Sequence, residues 1–244
     1  MNKEETFKEL RKKIVNESYT YNLTHISSAL SVVDIFYTFF STQNFKEFNI
    51  IDCKYFGVQA LRVVCEKLNI PFKRDHVFVF KEDFKFLTYT IETLGDGLGI
   101  AAGICLGNQK PTYVFISDSQ LQSGYFYEAL NFIITHNLNV KILVDLNGVQ
   151  VLGKIKENNS IDIILNQHII QSFYCNGHNY EEIESVLEKL KIKKPQIVFF
   201  KTTKGKGIQS LENDPMRHYF HIDNIETLRK IEDEIETYNY YSNT

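Results

Sequence analysis

Apolar positions recur along this chain with two different periods, and the alternation of the two predicts its architecture. Phe7, Leu10, Ile14 and Val15 fall on one stripe at helical spacing, so residues 3–20 read as an amphipathic helix. A second helix, from Ser27 or Ser28 to Phe40, is rich in apolar residues and is therefore predicted to be buried. Tyr113–Ile116 and Lys141–Val144 are short apolar runs closed by polar residues, with a helical pattern from Leu121 to His136 between them. This is one strand–helix–strand unit. Its length suits a parallel crossover, right-handed in nearly all cases, which brings both strand ends to one edge of a sheet. Open α/β sheets bind their ligands at that edge.

The other elements are predicted in the same way. A helix is expected over Val58–Leu68, a strand over Val77–Phe80, and a helix opened by a glycine-rich turn and running to Leu106. Residues 160–175 suggest a helix and a short strand. A helix over Tyr180–Leu190, a strand over Gln196–Thr202 and a charged-outside, apolar-inside helix over Ile225–Tyr238 complete the pattern.

Composition narrows the picture only a little. A chain of 244 residues makes one large α/β domain or two small ones, and its 43% hydrophobic content is ordinary for a folded protein. A net charge of −3 gives no electrostatic case for nucleic acid or an anionic membrane. No apolar run approaches membrane-spanning length, and the charged, helical N-terminal pattern is not that of a signal peptide, so a cytoplasmic protein is expected. Cys53, Cys65, Cys105 and Cys175 are scattered without metal-ligand spacing and read as reduced thiols.

Candidate chemistry gathers at the strand ends. Asp118 closes the first strand of the central unit and Asn147 follows the second, with Gly148 and Val149 turning away from it. A carboxylate, an amide carbonyl and a backbone carbonyl, the last from Val149, suit Mg²⁺ shared with a diphosphate. The same residues equally serve as a helix cap and an Asn-Gly turn. His25, with small hydroxylated residues after it at a helix start, can serve an anion or be a plain loop histidine. Glu128 shares a helical stripe with Leu121, Tyr125 and Phe132, where a carboxylate is costly unless paired or at the stripe's edge. Gly97-x-Gly99-x-x-Ala102, with Asp118 about twenty residues on, also satisfies a nicotinamide- or flavin-binding fingerprint. That reading leaves Asn147-Gly148 and His25 unexplained. Thr203-Lys204-Gly205-Lys206-Gly207 lacks the spacing of a Walker motif and reads alone as a solvated turn.

Four of these stretches, taken in order, carry a resemblance. His25 with Leu30, Ser31 and Asp34, then Leu94-Gly95-x-Gly97, then Asp118 through Asn147-Gly148, then Thr203-Lys204-Gly205-Lys206-Gly207 with Asn213-Asp214-Pro215 and His218, resemble the diphosphate-binding domain of transketolases. The resemblance implies a three-layer α/β sandwich around a mostly parallel sheet, with residues 1–244 as a single diphosphate-type domain of the thiamine-diphosphate-binding fold. It implies thiamine diphosphate and Mg²⁺ as cofactors, with Asp118, Asn147 and Val149 as metal ligands. His25, Leu94, Gly95, Gly97, Asp118, Ser119, Gln120, Asn147, Lys204 and His218 would line the cofactor. His25 and His218 would act beside the substrate, with His221 a nearby alternative to His218, and Glu128 would be the acid at the inter-subunit contact.

The resemblance also implies a partner chain. It covers only the diphosphate domain, so the pyrimidine domain, with the glutamate that activates the cofactor, is expected on a second subunit. The implied assembly is a dimer of this chain within a hetero-oligomer that transfers a two-carbon ketol or acyl unit to an aldehyde sugar, on a phosphorylated or nucleotide-linked substrate. A non-catalytic homologue without cofactor is the alternative. The chain departs from the family pattern at several points: Ser117 and Ser119 replace two glycines, Gln120 replaces a glutamate, and Asp83 stands near Lys81 where the family has a histidine. A serine costs conformational energy wherever φ must be positive.

Overall fold

The computed structural model describes residues 3–52, 57–73, 84–90, 93–155 and 170–240. Its frame is a six-stranded, wholly parallel sheet. The strands are β1 (Asn49–Asp52), β2 (Tyr89–Thr90), β3 (Thr112–Ser117), β4 (Val140–Leu146), β7 (Gln171–Asn176) and β8 (Gln196–Lys201), in the order β2-β1-β3-β4-β8-β7. A small antiparallel hairpin, β5 (Val149–Gln150) and β6 (Gly153–Lys154), stands apart from it. The helices are α1 (Lys3–Tyr21), α2 (Ile26–Thr42), α3 (Val58–Lys67), α4 (Asp96–Asn108), α5 (Gly124–Thr135), α6 (Tyr180–Glu188) and α7 (Ile225–Thr237).

Period-two alternation along the central strands explains why helices cover both faces. Tyr113, Phe115, Leu143, Val198 and Phe200 point into a core shared with α1, α2, α3, α6 and α7. Val114, Ile116, Ile142, Val144, Ile197 and Phe199 point the other way, into a core shared with α4 and α5. β3, β4 and β8 are thus buried on both faces, which is the reason they read as continuous apolar runs. The expected three-layer α/β sandwich around a parallel sheet is present. Asn179 and Asn224 cap α6 and α7, each side chain accepting from a backbone N–H three residues on.

The predicted crossover is also present. β3 and β4 pair in parallel, with Val114 opposite Ile142 and Ser117 opposite Asp145. The helix between them differs from the expectation. Asp118–Gln122 forms a 3-10 turn, the chain is extended at Ser123, and α5 begins only at Gly124. Leu121 therefore leaves the helical stripe and is fully buried, while Tyr125, Glu128 and Phe132 face solvent. Gly95 explains the break in part: its φ is +101°, and a Cβ there would collide with the Ser123 side chain, so the start of α4 packs directly on the turn.

β1 and β2 were missed in the sequence because they are four and two residues long. α2 begins at Ile26, so Ser27 and Ser28 lie inside the helix rather than at its cap. The strand expected at Val77–Phe80, the motif around Lys81 and Asp83, and most of the helix expected in 160–175 fall outside the described residues. Cys65, Cys105 and Cys175 are buried free thiols, as expected.

Candidate functional site

The carboxyl ends of β3 and β4 bring Asp118 and Asn147 to one place. The joining contact is a hydrogen bond from the Gly148 backbone N–H to Asp118 Oδ2, at 2.6 Å. Gly148 can turn there because it holds a φ of +72°. The Val149 N–H donates to Asn147 Oδ1 at 3.0 Å, and the Val149 carbonyl faces the Lys204 ammonium at 3.4 Å. A carboxylate, an amide oxygen and a main-chain carbonyl therefore surround one turn. Three hard oxygens of this kind, each with a lone pair to spare, fit Mg²⁺, which completes its octahedron with ligand and water oxygens. Among the described residues no group of three His, Cys, Asp or Glu side chains could hold a metal, so a softer, zinc-type donor set is absent there.

Sequence reasoning missed the residue that orients Asn147. Asp145 is buried at the end of β4; its Oδ2 accepts from Asn147 Nδ2 at 3.1 Å and from Ser31 Oγ at 2.7 Å, and its Oδ1 accepts from Thr202 Oγ1. With the amide nitrogen tied to Asp145, the amide oxygen turns toward Asp118 and Val149. The available signal was an acid at the end of an apolar strand, a position that needs several donors to be tolerated.

Basic groups assemble on the other side of the turn. Lys204 is buried, and its ammonium lies 3.1 Å from His218 Nδ1. The His25 and His218 rings are 5.7 Å apart, edge to face, and Tyr219 packs against both at 4.9 and 4.8 Å. His25 sits at the N-cap of α2, its Nδ1 3.0 Å from the Thr24 hydroxyl. Burial, then His218 and Lys204, push the His25 pKa down to about 4, so its imidazole is neutral at pH 7. Backbone bonds fix the arrangement: the Gly205 N–H donates to the Ser27 carbonyl and the Phe220 N–H to the Thr24 carbonyl. Both loops are thereby held on the start of α2. Tyr219 was missed because nothing in its sequence context distinguishes it from an exposed loop aromatic.

The remaining sequence candidates divide. Gln120 is buried beside Asp118, and Gly95 and Gly97 are buried at the start of α4, whereas Leu94 is exposed. Ser117 and Ser119 do not hold positive φ, and their hydroxyls lie 2.7 Å apart, so the two serines impose no backbone strain. This corrects the conformational cost expected of them. Glu128 is exposed on α5 and makes no hydrogen bond or ion pair among the described residues. The expected apolar setting is therefore not present within this chain. His221 is also exposed, its Nδ1 3.0 Å from Asn22 Oδ1, so His218 is the histidine that meets His25. The nicotinamide-type fingerprint fails on topology: β1 lies between β2 and β3, so the strands flanking α4 are not neighbours, and Asp118 is engaged at the β4 turn.

A second cluster lies on the same loop. The Arg11 guanidinium makes a bidentate pair with Asp34, at 2.7 and 2.6 Å, and donates to the Lys206 carbonyl at 2.9 Å. His178 Nε2 accepts from the Thr203 N–H at 2.8 Å, which places its proton on Nδ1, where it donates to Asp34 Oδ2 at 2.7 Å. Burial opposes the Asp34 charge, but Arg11 and His178 hold its pKa below the usual carboxylate range.

Comparison with known proteins agrees with this geometry. A family model described as "Transketolase, thiamine diphosphate binding domain" matches residues 106–231. The chain is 29% identical over 136 residues to a subunit of the apulose-4-phosphate transketolase of Actinobacillus succinogenes, covering 52% of this chain and 49% of the relative. It is 26% identical over 137 residues to the corresponding apulose-4-phosphate transketolase subunit of Phocaeicola vulgatus, with the same coverage. The matched stretch thus spans about half the length of these relatives. The fold is that of transketolase from Leishmania mexicana, with a TM-score of 0.78 and 16% identity over 97% of this chain and 41% of that one.

Proposed function

This chain belongs to the transketolase family, within the thiamine-diphosphate-binding domain of that family, and from that premise we propose that it is the diphosphate-binding subunit of a two-chain transketolase-like enzyme. Residues 1–244 would act as one diphosphate-type domain, with the pyrimidine domain on a partner chain. The observation that carries this reading is the meeting of Asp118 with the Asn147-Gly148-Val149 turn. Asp118, Asn147 and Val149 would hold Mg²⁺, and Asp145 would keep the Asn147 amide in its ligating orientation.

Lys204, His25 and His218 would face the diphosphate and the substrate, with Gly95, Gly97, Ser119 and Gln120 lining the cofactor. Thiamine diphosphate supplies the carbanion chemistry once bound, and the protein supplies geometry and charge. A neutral His25 can accept or donate one proton beside a sugar hydroxyl, and Lys204 supplies a fixed positive charge. The substrate class favoured is a phosphorylated ketose donor and an aldehyde acceptor, as the names of the two relatives suggest.

The partner surface proposed is the face of α4 and α5. Tyr125 and Phe132 are exposed on α5, and Gly99 and Gly103 are exposed on α4 with open space where a side chain would be. Apolar exposure of this extent marks interfaces, and small residues admit close approach. Glu128 lies on this face, so its proposed role at the inter-subunit contact requires the assembly.

The test is calorimetry of thiamine diphosphate with Mg²⁺, on this chain co-purified with its pyrimidine-domain partner. Tight binding by the wild type and none by Asp118→Ala, with an unchanged circular dichroism spectrum, is the expected result. Light scattering should show the chain alone as a dimer without ketol transfer. A monomer that transfers ketol groups unaided would refute the two-chain reading. Unchanged affinity in Asp118→Ala would overturn the metal assignment, and absent binding by the wild type would leave a non-catalytic homologue.

A further inference from the structure

A cavity of about 570 Å³ opens between the start of α1, the start of α6 and the loop after β8, and Lys204 is not among the residues that line it. Its wall carries three lysines, Lys3, Lys201 and Lys206. None of the three ammonium groups makes an ion pair or side-chain hydrogen bond among the described residues. Each instead lies over an aromatic ring: Lys3 over Tyr180 at 3.8 Å, Lys201 over Tyr174 at 5.5 Å and Lys206 over Tyr238 at 5.0 Å. Lys206 is only 5% exposed. The Tyr240 hydroxyl, on the same wall, is buried without a hydrogen-bond partner among the described residues.

The Tyr240 hydroxyl is thus a buried donor without an acceptor, and the largely buried Lys206 side chain has no hydrogen-bonded partner among the described residues, an arrangement that is costly unless something supplies acceptors. The acids nearby do not. Asp34 is taken by Arg11 and His178, Glu4 pairs with Lys8 at 3.4 Å, and Glu212 accepts from the Gly207 N–H and the Tyr238 hydroxyl. Glu181 is exposed at the rim. Burial pushes the Tyr240 pKa up to about 12, so the hydroxyl stays a neutral donor, and burial lowers the Lys206 pKa against the opposing pull of Glu212 and Asp34.

We propose that this cavity is a second anion site, which takes the phosphoryl group of a small phosphorylated metabolite on Lys206 and Tyr240, with Lys3 and Lys201 at its rim. The site is separate from the proposed cofactor turn and does not depend on it. It is nonetheless linked to that turn by a short path: Lys204 and Lys206 are two positions apart on a loop held by Arg11 and His178. Occupancy would therefore be felt at Lys204.

The experiment is calorimetric titration of the full chain with inorganic phosphate in low-salt, phosphate-free buffer. One phosphate should bind the wild type and Asp118→Ala alike, because the cofactor turn is not involved. Lys206→Met should weaken binding at least tenfold, Tyr240→Phe severalfold, and Lys206→Arg should retain it. Without phosphate, Lys206→Met should melt no lower than the wild type, since a methionine removes a buried charge without leaving a partner behind. Phosphate should then raise the melting temperature of the wild type but not of Lys206→Met. Absent binding at tens of millimolar phosphate, equal binding by Lys206→Met, or its loss in Asp118→Ala would overturn the site. A lower melting temperature for Lys206→Met would make the lysine structural. Equal affinity for acetate would overturn the phosphoryl assignment.

Discussion

Two polar clusters sit at the carboxyl edge of the same sheet and share one loop, yet they are built on opposite plans. In Arg11–Asp34–His178 the opposite charges are in bidentate contact, the guanidinium and carboxylate are fully buried, and the histidine tautomer is fixed by a backbone N–H. In His25–Lys204–His218 like groups crowd together, and the result is a histidine pushed down to about 4. The first cluster satisfies itself and can only hold structure. The second sets a neutral imidazole, a second histidine and one ammonium beside a turn of oxygen ligands, a donor set that suits an anion. The difference teaches how to tell a structural ionic network from a functional one: by whether opposite charges close on each other or like groups are brought face to face.

Breaking the first cluster should have the largest effect on the fold. Arg11→Met leaves the Asp34 carboxylate buried with only His178, and should cost about 3–5 kcal/mol in urea unfolding. Arg11→Met with Asp34→Leu should recover much of that loss. A single variant within about 0.5 kcal/mol of the wild type would show that the pair is not closed as described.

Breaking the second should spare stability and strike activity. His25→Ala or His218→Ala, in the assembled enzyme, should lower kcat/KM roughly 10²-fold, a typical loss for a positioned proton-transfer group. His221→Ala should leave it unchanged. A fully active His218→Ala enzyme would move the role elsewhere.

The pH dependence should separate the clusters more finely. His25 titrates near 6.5 in the unfolded chain and near 4 in the folded one. The unfolded state therefore takes the proton first as the pH falls. The stability associated with neutral His25 is intact above pH 6.5 and is lost between pH 6.5 and 4. Unfolding at a series of pH values should show that slope in the wild type and a shallower one in His25→Ala. Saturating thiamine diphosphate should flatten it, because an adjacent anion raises the imidazole pKa. The smallest effect belongs to Ser119→Gly. The backbone there needs no positive φ, so the change should cost no more than about 1 kcal/mol and leave cofactor affinity within a few-fold. A large gain in affinity would mean that the serine hydroxyl obstructs the site.

Much of the frame was legible in the sequence, because local pattern and tertiary role agree wherever an element is long. β3, β4 and β8 read as strands since both their faces are buried, α1, α6 and α7 read as helices since each buries a stripe, and α2 read as a helix buried nearly all round. The short strands β1 and β2 did not, because two to four residues carry too little periodicity. Asp118, Asn147 and Val149 were legible as residue types at strand ends, where topology delivers side chains to a site, whereas Lys204 and His218 were marked only by the family resemblance, and His25 read as a plain loop histidine until that resemblance was added. Leu121 and Glu128 were misplaced because the 3-10 turn and the extended Ser123 rotate α5 relative to an uninterrupted helix, a break against which Gly95 of another element packs closely.

The sequence by itself thus determined the layers, the parallel crossover and the kinds of oxygen and nitrogen that meet at the sheet edge. It did so because burial period and chain direction are local or nearly local properties. Only the tertiary structure decided which histidine faces which, that Asp145 orients Asn147, and that three lysines share a cavity with none of them ion-paired among the described residues. Those are outcomes of packing between α1, α2, α6 and the loop after β8, segments far apart in sequence. The sign and balance of a cluster's charges exist only once such segments are in contact.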